Sequence, residues 1–364
     1  MGLTISRLSN TYKGKKVLLT GHTGFKGTWM LNMLIHLGAR VKGYSRKPKN
    51  DSDLYNLLEG NSLCESIFDD ILNEERFEKE ILSFQPDFIF HFAAQSLVSE
   101  GYNEPRETFR TNVIGTLNVL EPLKKLNKKC SVILITTDKV YLNKEWIFPY
   151  RENDELGGND PYSASKSCSE LVIKSFQYSF FSSENYNIHK KGIATARAGN
   201  IIGGGDWSSN RLIPDYIKSI YNKDVMNIRS PNSIRPWQHV FDPLLGYLQL
   251  GSSLDKDPFT YSEPFNFGPS ISDCITVEEI INRCQLYWNL KKINISTIPA
   301  QMKESKALML STAKSEYLLD WKPQLSLNQA LELTIDWYKV YFDTPEKIKT
   351  LSKFHIESFF NKIT

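Results

Sequence analysis

The sequence predicts an α/β protein: a doubly wound parallel sheet completed by a smaller, mixed C-terminal domain. Three observations predict it. Short apolar runs alternate with helical patterns through the N-terminal half, as βα units require. A glycine-rich loop joins the first such run to the first helix. After about residue 198 the pattern loosens, punctuated by Gly203-Gly204-Gly205 and by Pro214, Pro231, Pro236, Pro243 and Pro264. Residues 1–198 are therefore assigned mainly to the sheet domain and 199–364 mainly to the second, with some strands and helices exchanged.

The elements follow in chain order. Lys16 to Thr20 reads as the first strand and Lys26 to Leu37 as the helix after it, stopped by Gly38. Arg40 to Tyr44 is the second strand, and Ser66 to Phe68 a short third. Glu74 to Phe84 reads as helix and Asp87 to His91 as strand. Thr108 to Leu126 reads as one long helix with apolar positions Val113, Leu117, Leu120 and Leu123. A buried, β-branched strand follows at 132–136, then a helix at Tyr162 to Phe180 and a strand at Gly192 to Ala196.

Composition excludes several classes. With 41% apolar residues in 364, the chain can bury a substantial core. Its 44 Lys+Arg nearly balance 41 Asp+Glu, so no polybasic face points to nucleic acid or an anionic membrane. The cysteines, at 64, 130, 168, 274 and 284, form no CxxC pattern; free thiols are expected, and no metal site. No run approaches about 20 apolar residues, so no membrane span is expected and the cytoplasm is the expected compartment.

The loop Gly21-His22-Thr23-Gly24-Phe25-Lys26-Gly27 has GxxGxxG spacing between a strand and a helix, the setting of a Rossmann-type dinucleotide site. Residues without Cβ make the tight turn and let the backbone approach a pyrophosphate. The helix N-terminus then offers free N–H groups. Gly21, Thr23, Gly24, Phe25, Lys26 and Gly27 are the cofactor candidates here. An acidic residue ending the second strand would select NAD through the ribose 2′-hydroxyl. Tyr44-Ser45-Arg46-Lys47 stands there instead, so NADP is left open, and Asp51 and Asp53 come late. Asp70 and Ile71, after the short third strand, are candidates for adenine contact; a helix cap is the alternative for the aspartate.

The strand at 132–136 ends in Thr136-Thr137-Asp138-Lys139, at the sheet edge where such folds bind ligands. Asp160-Pro161-Tyr162-Ser163-Ala164-Ser165-Lys166 then opens a helix. Tyr162 and Lys166 are spaced i,i+4 and share a face. A neighbouring ammonium favours the phenolate and is expected to lower the tyrosine pKa. Such a tyrosine takes a hydroxyl proton while a nicotinamide takes hydride.

This combination resembles the extended short-chain dehydrogenase/reductase superfamily. His91-Phe92-Ala93-Ala94-Gln95, Asn112-Val113 with Gly115-Thr116, and Arg197-Ala198-Gly199-Asn200 are similar to its other motifs. The resemblance adds Phe92, Ala93, Ala94, Thr136, Tyr162 and Lys166 to the cofactor set, with NAD as the expected cofactor. Thr137-Asp138-Lys139 resembles the triplet of the nucleotide-sugar 4,6-dehydratases within that superfamily. Asp-Glu is commoner there; Asp-Lys is similar to the branch acting on CDP-glucose and to some dehydratases of UDP-N-acetylglucosamine. The loop from Gly21 to Trp29, the run Ala198 to Trp207, Asn210 to Asp215 and Ile234 to Val240 are similar to the CDP-glucose branch. Leu318-Leu319-Asp320-Trp321-Lys322-Pro323 resembles an LGWxP motif with Asp for Gly.

The resemblance implies roles. Tyr162 is the base for the C4 hydroxyl, Lys166 lowers its pKa and holds the nicotinamide ribose, and Thr137 hydrogen-bonds the C4 oxygen. Asp138 is the acid at C6 and Lys139, in neutral form, the base at C5. Gln95, Thr137, Asn200, Arg211, Leu212, Arg235 and His239 are the substrate candidates. The two arginines suit a diphosphate, while His239, beside Trp237 and Phe241, has a packed core histidine as its alternative. The implied reaction converts CDP-glucose to CDP-4-keto-6-deoxyglucose and water, within deoxysugar synthesis for a surface polysaccharide such as lipopolysaccharide O-antigen. The implied assembly is a homodimer or higher homo-oligomer pairing the helices at 108–126 and 162–180. A UDP-sugar dehydratase, a nucleotide-sugar epimerase and a silent dinucleotide sensor are the competing readings.

Overall fold

The computed structural model describes residues 5–288, 295–297 and 307–363. Seven strands form its main sheet: β1 (Lys16–Thr20), β2 (Arg40–Ser45), β3 (Glu65–Phe68), β4 (Phe88–His91), β5 (Cys130–Ile135), β6 (Lys191–Ala198) and β7 (Pro264–Phe267). Their order is β7-β6-β5-β4-β1-β2-β3, and every neighbouring pair is parallel. The order runs outward from β1 in both directions. The crossovers therefore change sides between β1 and β4, and the carboxyl ends of the strands open a crevice there.

Helices cover both faces. The ones that matter here are α1 (Phe25–His36), α2 (Glu74–Phe84), α3 (Pro161–Ser179), α4 (Leu212–Asn222) and α5 (Phe241–Lys256). Side chains of β5 alternate between two apolar layers. Ile133 and Ile135 join a cluster with Leu248 of α5, while Val132 and Leu134 join Ile173 of α3 and Phe77 of α2. Every residue of β5 is buried, which is why its sequence is apolar apart from Ser131 rather than alternating. The C-terminal half supplies both β7 and α5, which packs against β5 and β6.

One expected element differs. The helical run starts at Pro105, not Thr108, and passes through a π-helical turn at Arg110–Ile114 before ending in a 3₁₀ turn at Glu121–Lys124. Pro105 suits a first helical position, and Pro122 suits the tightened end. The π turn carries Asn112, whose amide binds across to Gln95 and Ser165. Apolar periodicity cannot register one inserted residue of this kind.

The LGWxP-like stretch also has a physical account. Asp320 lies at φ 54, the left-handed region that favours the glycine of the motif. Trp321 is buried, with its indole N–H donating to the Asp242 carbonyl at 3.1 Å. Among the described residues the five cysteines are free, no metal-binding group is found, and no helix is long and apolar enough to cross a membrane.

Candidate active site

The carboxyl ends of the strands open into a cavity of about 900 Å³, lined by both halves of the chain. All but two of the site residues expected from sequence line it. At the cofactor end, Gly21 has φ +70, and a Cβ there would stand 2.7 Å from the Ala93 nitrogen. A Cβ on Gly27 would overlap the Gly21 carbonyl oxygen. On Gly24 it would meet only that oxygen, at 3.5 Å, so the loop backbone is bare toward the cavity. These residues fit a dinucleotide pyrophosphate at the start of α1.

Neighbouring strands hold the loop in place. Thr20, ending β1, pairs through its hydroxyl with His91 Nδ1 at 2.8 Å and accepts the Ala93 N–H at 3.2 Å. Thr23 donates to the Arg46 carbonyl at 2.9 Å, tying the loop to the end of β2. His22 is buried beneath Gly43, and burial pushes its pKa down to about 4. Asp53 accepts the Lys49 N–H at 2.7 Å, which closes a local turn. Asp70 and Ile71 line the cavity; Asn73, not an aspartate, caps α2. The Ile71 carbonyl accepts from Asn118 at 3.0 Å.

The catalytic candidates converge from β5 and α3. The turn after β5 is capped by Thr137, which accepts the Lys139 N–H at 3.4 Å and donates to Asp138 Oδ1 at 2.9 Å. Asp138 is 2% exposed, and its Oδ2 has no hydrogen-bond partner among the described residues. Burial raises its pKa against the pull of the Lys139 charge and the Thr137 hydroxyl. Lys139 is half-buried in the cavity wall. On α3, Asp160 caps the helix by accepting the Ser163 N–H at 3.0 Å. Pro161 sets the first turn, which brings Tyr162 and Lys166 to the cavity.

Two electrostatic results depart from expectation. Tyr162 is pushed up to about 12, because burial outweighs the Thr137 hydrogen bond and the Arg211 charge that pull it down. Lys166 donates to the Ile135 carbonyl at 3.1 Å, and burial lowers its pKa to about 8 against the pull of Glu170. The expected lowering of the tyrosine by its lysine is therefore not the dominant effect in the free protein.

Two of the expected residues lie off the cavity wall. Gln95 does not line the cavity. Its amide donates to the Leu97 carbonyl at 3.0 Å and the Thr108 hydroxyl at 2.8 Å, while its oxygen accepts the Leu97 N–H at 2.5 Å. Its neighbour Ser96 lines the cavity instead. His239 is packed edge-on against Phe241 at 4.4 Å and 2% exposed, and burial lowers its pKa to about 3.

The substrate end carries the other candidates. Asn200, Arg211, Leu212 and Arg235 all line the cavity. Arg211 bonds Asp206 Oδ2 at 3.0 Å and the Ser96 hydroxyl at 3.2 Å, joining the loop before α4 to the loop after β4. Sequence reasoning missed three residues: Asp206, Tyr247 and Glu170. Glu170 had a signal, since it stands one turn beyond Lys166 on α3. Asp206 also had one, since it lies in the Ala198 to Trp207 run; Tyr247 had none, being placed by packing alone.

The sheet order, glycine loop and Tyr–Lys pair define an extended short-chain dehydrogenase/reductase. The family model described as GDP-mannose 4,6 dehydratase matches residues 18–334. The chain belongs to that dehydratase family. It is 42% identical over 332 residues to CDP-glucose 4,6-dehydratase of Salmonella typhimurium, covering 91% of this chain and 92% of the relative. Among solved structures, UDP-glucose 4-epimerase of Thermotoga maritima shares the fold with a TM-score of 0.78 and 22% identity, covering 90% of this chain and all of that one. The dTDP-glucose 4,6-dehydratase of Bacillus anthracis, solved with NAD, has a TM-score of 0.75 and 20% identity, covering 93% and 100%.

Proposed function

We propose that this protein is a CDP-glucose 4,6-dehydratase that uses NAD as a regenerated cofactor. The observation that carries the reading is the end of β5. Thr137, Asp138 and Lys139 line one cavity with Tyr162 and Lys166, and Asp138 keeps a buried carboxyl oxygen with no partner among the described residues. Bound NAD would supply the hydride acceptor, its pyrophosphate held by the loop from Gly21 to Gly27 and its nicotinamide ribose by Lys166.

The chain's own residues carry the protons. Tyr162 takes the C4 hydroxyl proton as hydride leaves C4, helped by the Thr137 hydrogen bond and the Arg211 charge. The ketone at C4 makes the C5–H acidic, and Lys139 removes that proton. Asp138 gives its proton to the departing C6 hydroxyl; a carboxyl whose pKa is raised by burial is suited to hold it. Hydride would then return to C6 as Lys139 gives the proton back to C5, and the C4 ketone is retained. Arg211 and Arg235 take the substrate diphosphate, with Asn200 and Leu212 beside the sugar and nucleotide. The same reading places the protein in the cytoplasm as a homodimer. Phe109, Ile114, Leu171 and Tyr178, exposed on the 105–124 run and α3, supply its apolar face.

Incubation with CDP-, UDP-, GDP- and dTDP-glucose, followed by mass spectrometry, tests the reading. Loss of one water from CDP-glucose, about 18 mass units, is expected. Conversion without mass change would indicate epimerisation, and cofactor binding without turnover a sensor. Lys139→Met is expected to retain hydride transfer, seen as reduced cofactor, while elimination stops. Unchanged elimination would remove Lys139 as the C5 base.

A further inference from the structure

Lys26 stands in the first turn of α1, where the helix end already carries partial positive charge. Fold stability alone does not favour a cation there. Its side chain crosses to α5 and donates to the Tyr247 hydroxyl at 3.0 Å. The ammonium lies 5.1 Å from the Tyr247 ring centre and 5.8 Å from that of Phe92, while the two rings pack at 5.9 Å. Tyr247 is fully buried, so this anchor is fixed. The charged groups acting on Lys26 are Arg211, Lys166 and Asp138. All three belong to the catalytic and substrate end of the cavity. Lys26 thus joins the pyrophosphate loop to the place where hydride must move.

We propose that Lys26 is an electrostatic residue for the redox step: its ammonium, held on Tyr247 at the nicotinamide end of the site, favours the reduced cofactor over the oxidised one. The inference rests on the nicotinamide reading of the site. In that step the C4–H electron pair moves as hydride to the nicotinamide ring, and the hydroxyl proton goes to Tyr162. The ring loses its positive charge. Repulsion between the ring and Lys26 is therefore present before transfer and absent after it. The same difference retains the reduced form while elimination proceeds. Burial lowers the pKa of Lys26 to about 7, with Arg211 and Lys166 repelling the ammonium and Asp138 attracting it; the ammonium form prevails at about pH 6, and the titrations are made there.

The test is the ratio of dissociation constants for NAD⁺ and NADH, by fluorescence titration of the full chain. Lys26→Met removes the charge at nearly equal length; Lys26→Gln also removes it while keeping a donor for Tyr247. Thermal melts establish that each variant is folded. Both are expected to lower the ratio Kd(NAD⁺)/Kd(NADH) about tenfold, corresponding to about 1.4 kcal/mol. An unmoved ratio in folded variants that still bind both nucleotides overturns this inference and leaves the cofactor reading standing. Failure of the native protein to bind either nucleotide overturns both.

Discussion

Two buried carboxyl groups lie near the same strand end and behave in opposite ways. Glu170 accepts from Thr136 at 2.6 Å, Thr195 at 3.1 Å, and Arg197 Nε and Nη2 at 2.8 and 2.9 Å. Its pKa is lowered, since the Arg197 charge and these donors outweigh its burial. Among the described residues Asp138 accepts from one side chain, Thr137, and leaves an oxygen unpartnered, and burial raises its pKa. Burial is common to both; the number of donors and the adjacent cation differ. A buried carboxyl encircled by donors is a fixed anion that braces α3 against β6. One left short of donors is a group able to hold and release a proton.

Substitutions break that contrast in graded ways. The largest effect is expected from Asp138→Asn, which should reduce turnover about 10²–10⁴-fold while the thermal midpoint stays near the native value. Native-like turnover in a mass-based assay would put Asp138 with Glu170, as structure only. Glu170→Ala should instead destabilise the fold by about 3–5 kcal/mol, read by urea unfolding, because Arg197 is left buried and unpaired. Replacing both partners by Met should recover most of that loss; if it does not, the pair does more than satisfy itself.

The pH dependence sharpens the comparison, with opposite signs. Glu170 has a depressed folded pKa, so its contribution is present above the ordinary value of about 4.3 and is lost as pH falls through the folded one. Asp138 has a raised folded pKa, so its contribution is greatest below about 3.9 and is lost as pH rises through the folded value. Urea unfolding followed from about pH 3 to 8 should therefore show the acid limb flatten when Glu170 and Arg197 are replaced together. Asp138→Asn should flatten the loss on the rising side; a parallel curve would contradict the raised pKa. The smallest effect is expected from Thr195→Val, which removes one donor from Glu170. It should cost about 1 kcal/mol with turnover unchanged.

Much of this was legible in the chain, for local reasons. The glycine loop, the polar end of β5 and the i,i+4 pair on α3 depend on spacing within a few residues, and spacing is visible. The helix read at 108–126 runs from 105 to 124, and its π turn was not legible, because one inserted residue leaves composition unchanged. Gln95 followed from its motif, yet two residues of loop geometry turned its amide toward Leu97 and Thr108. His239 had neighbours in sequence that already foretold packing. Glu170 was within reach of the same periodicity that found Lys166, but its partner Arg197 lies on a different element.

By itself the sequence determined which groups are available: a hydroxyl, an acid and an amine ending one strand, and a tyrosine with its lysine on one helix face. Only the tertiary structure decided their burial and their company. It brought Lys26 to Tyr247, Arg211 to Asp206 and Ser96, and Arg197 to Glu170. It also withheld donors from Asp138 and pushed Tyr162 up to about 12. The physical reason is that spacing along a chain is a local quantity. Solvation and charge inside a fold are sums over neighbours that the chain brings together from far apart.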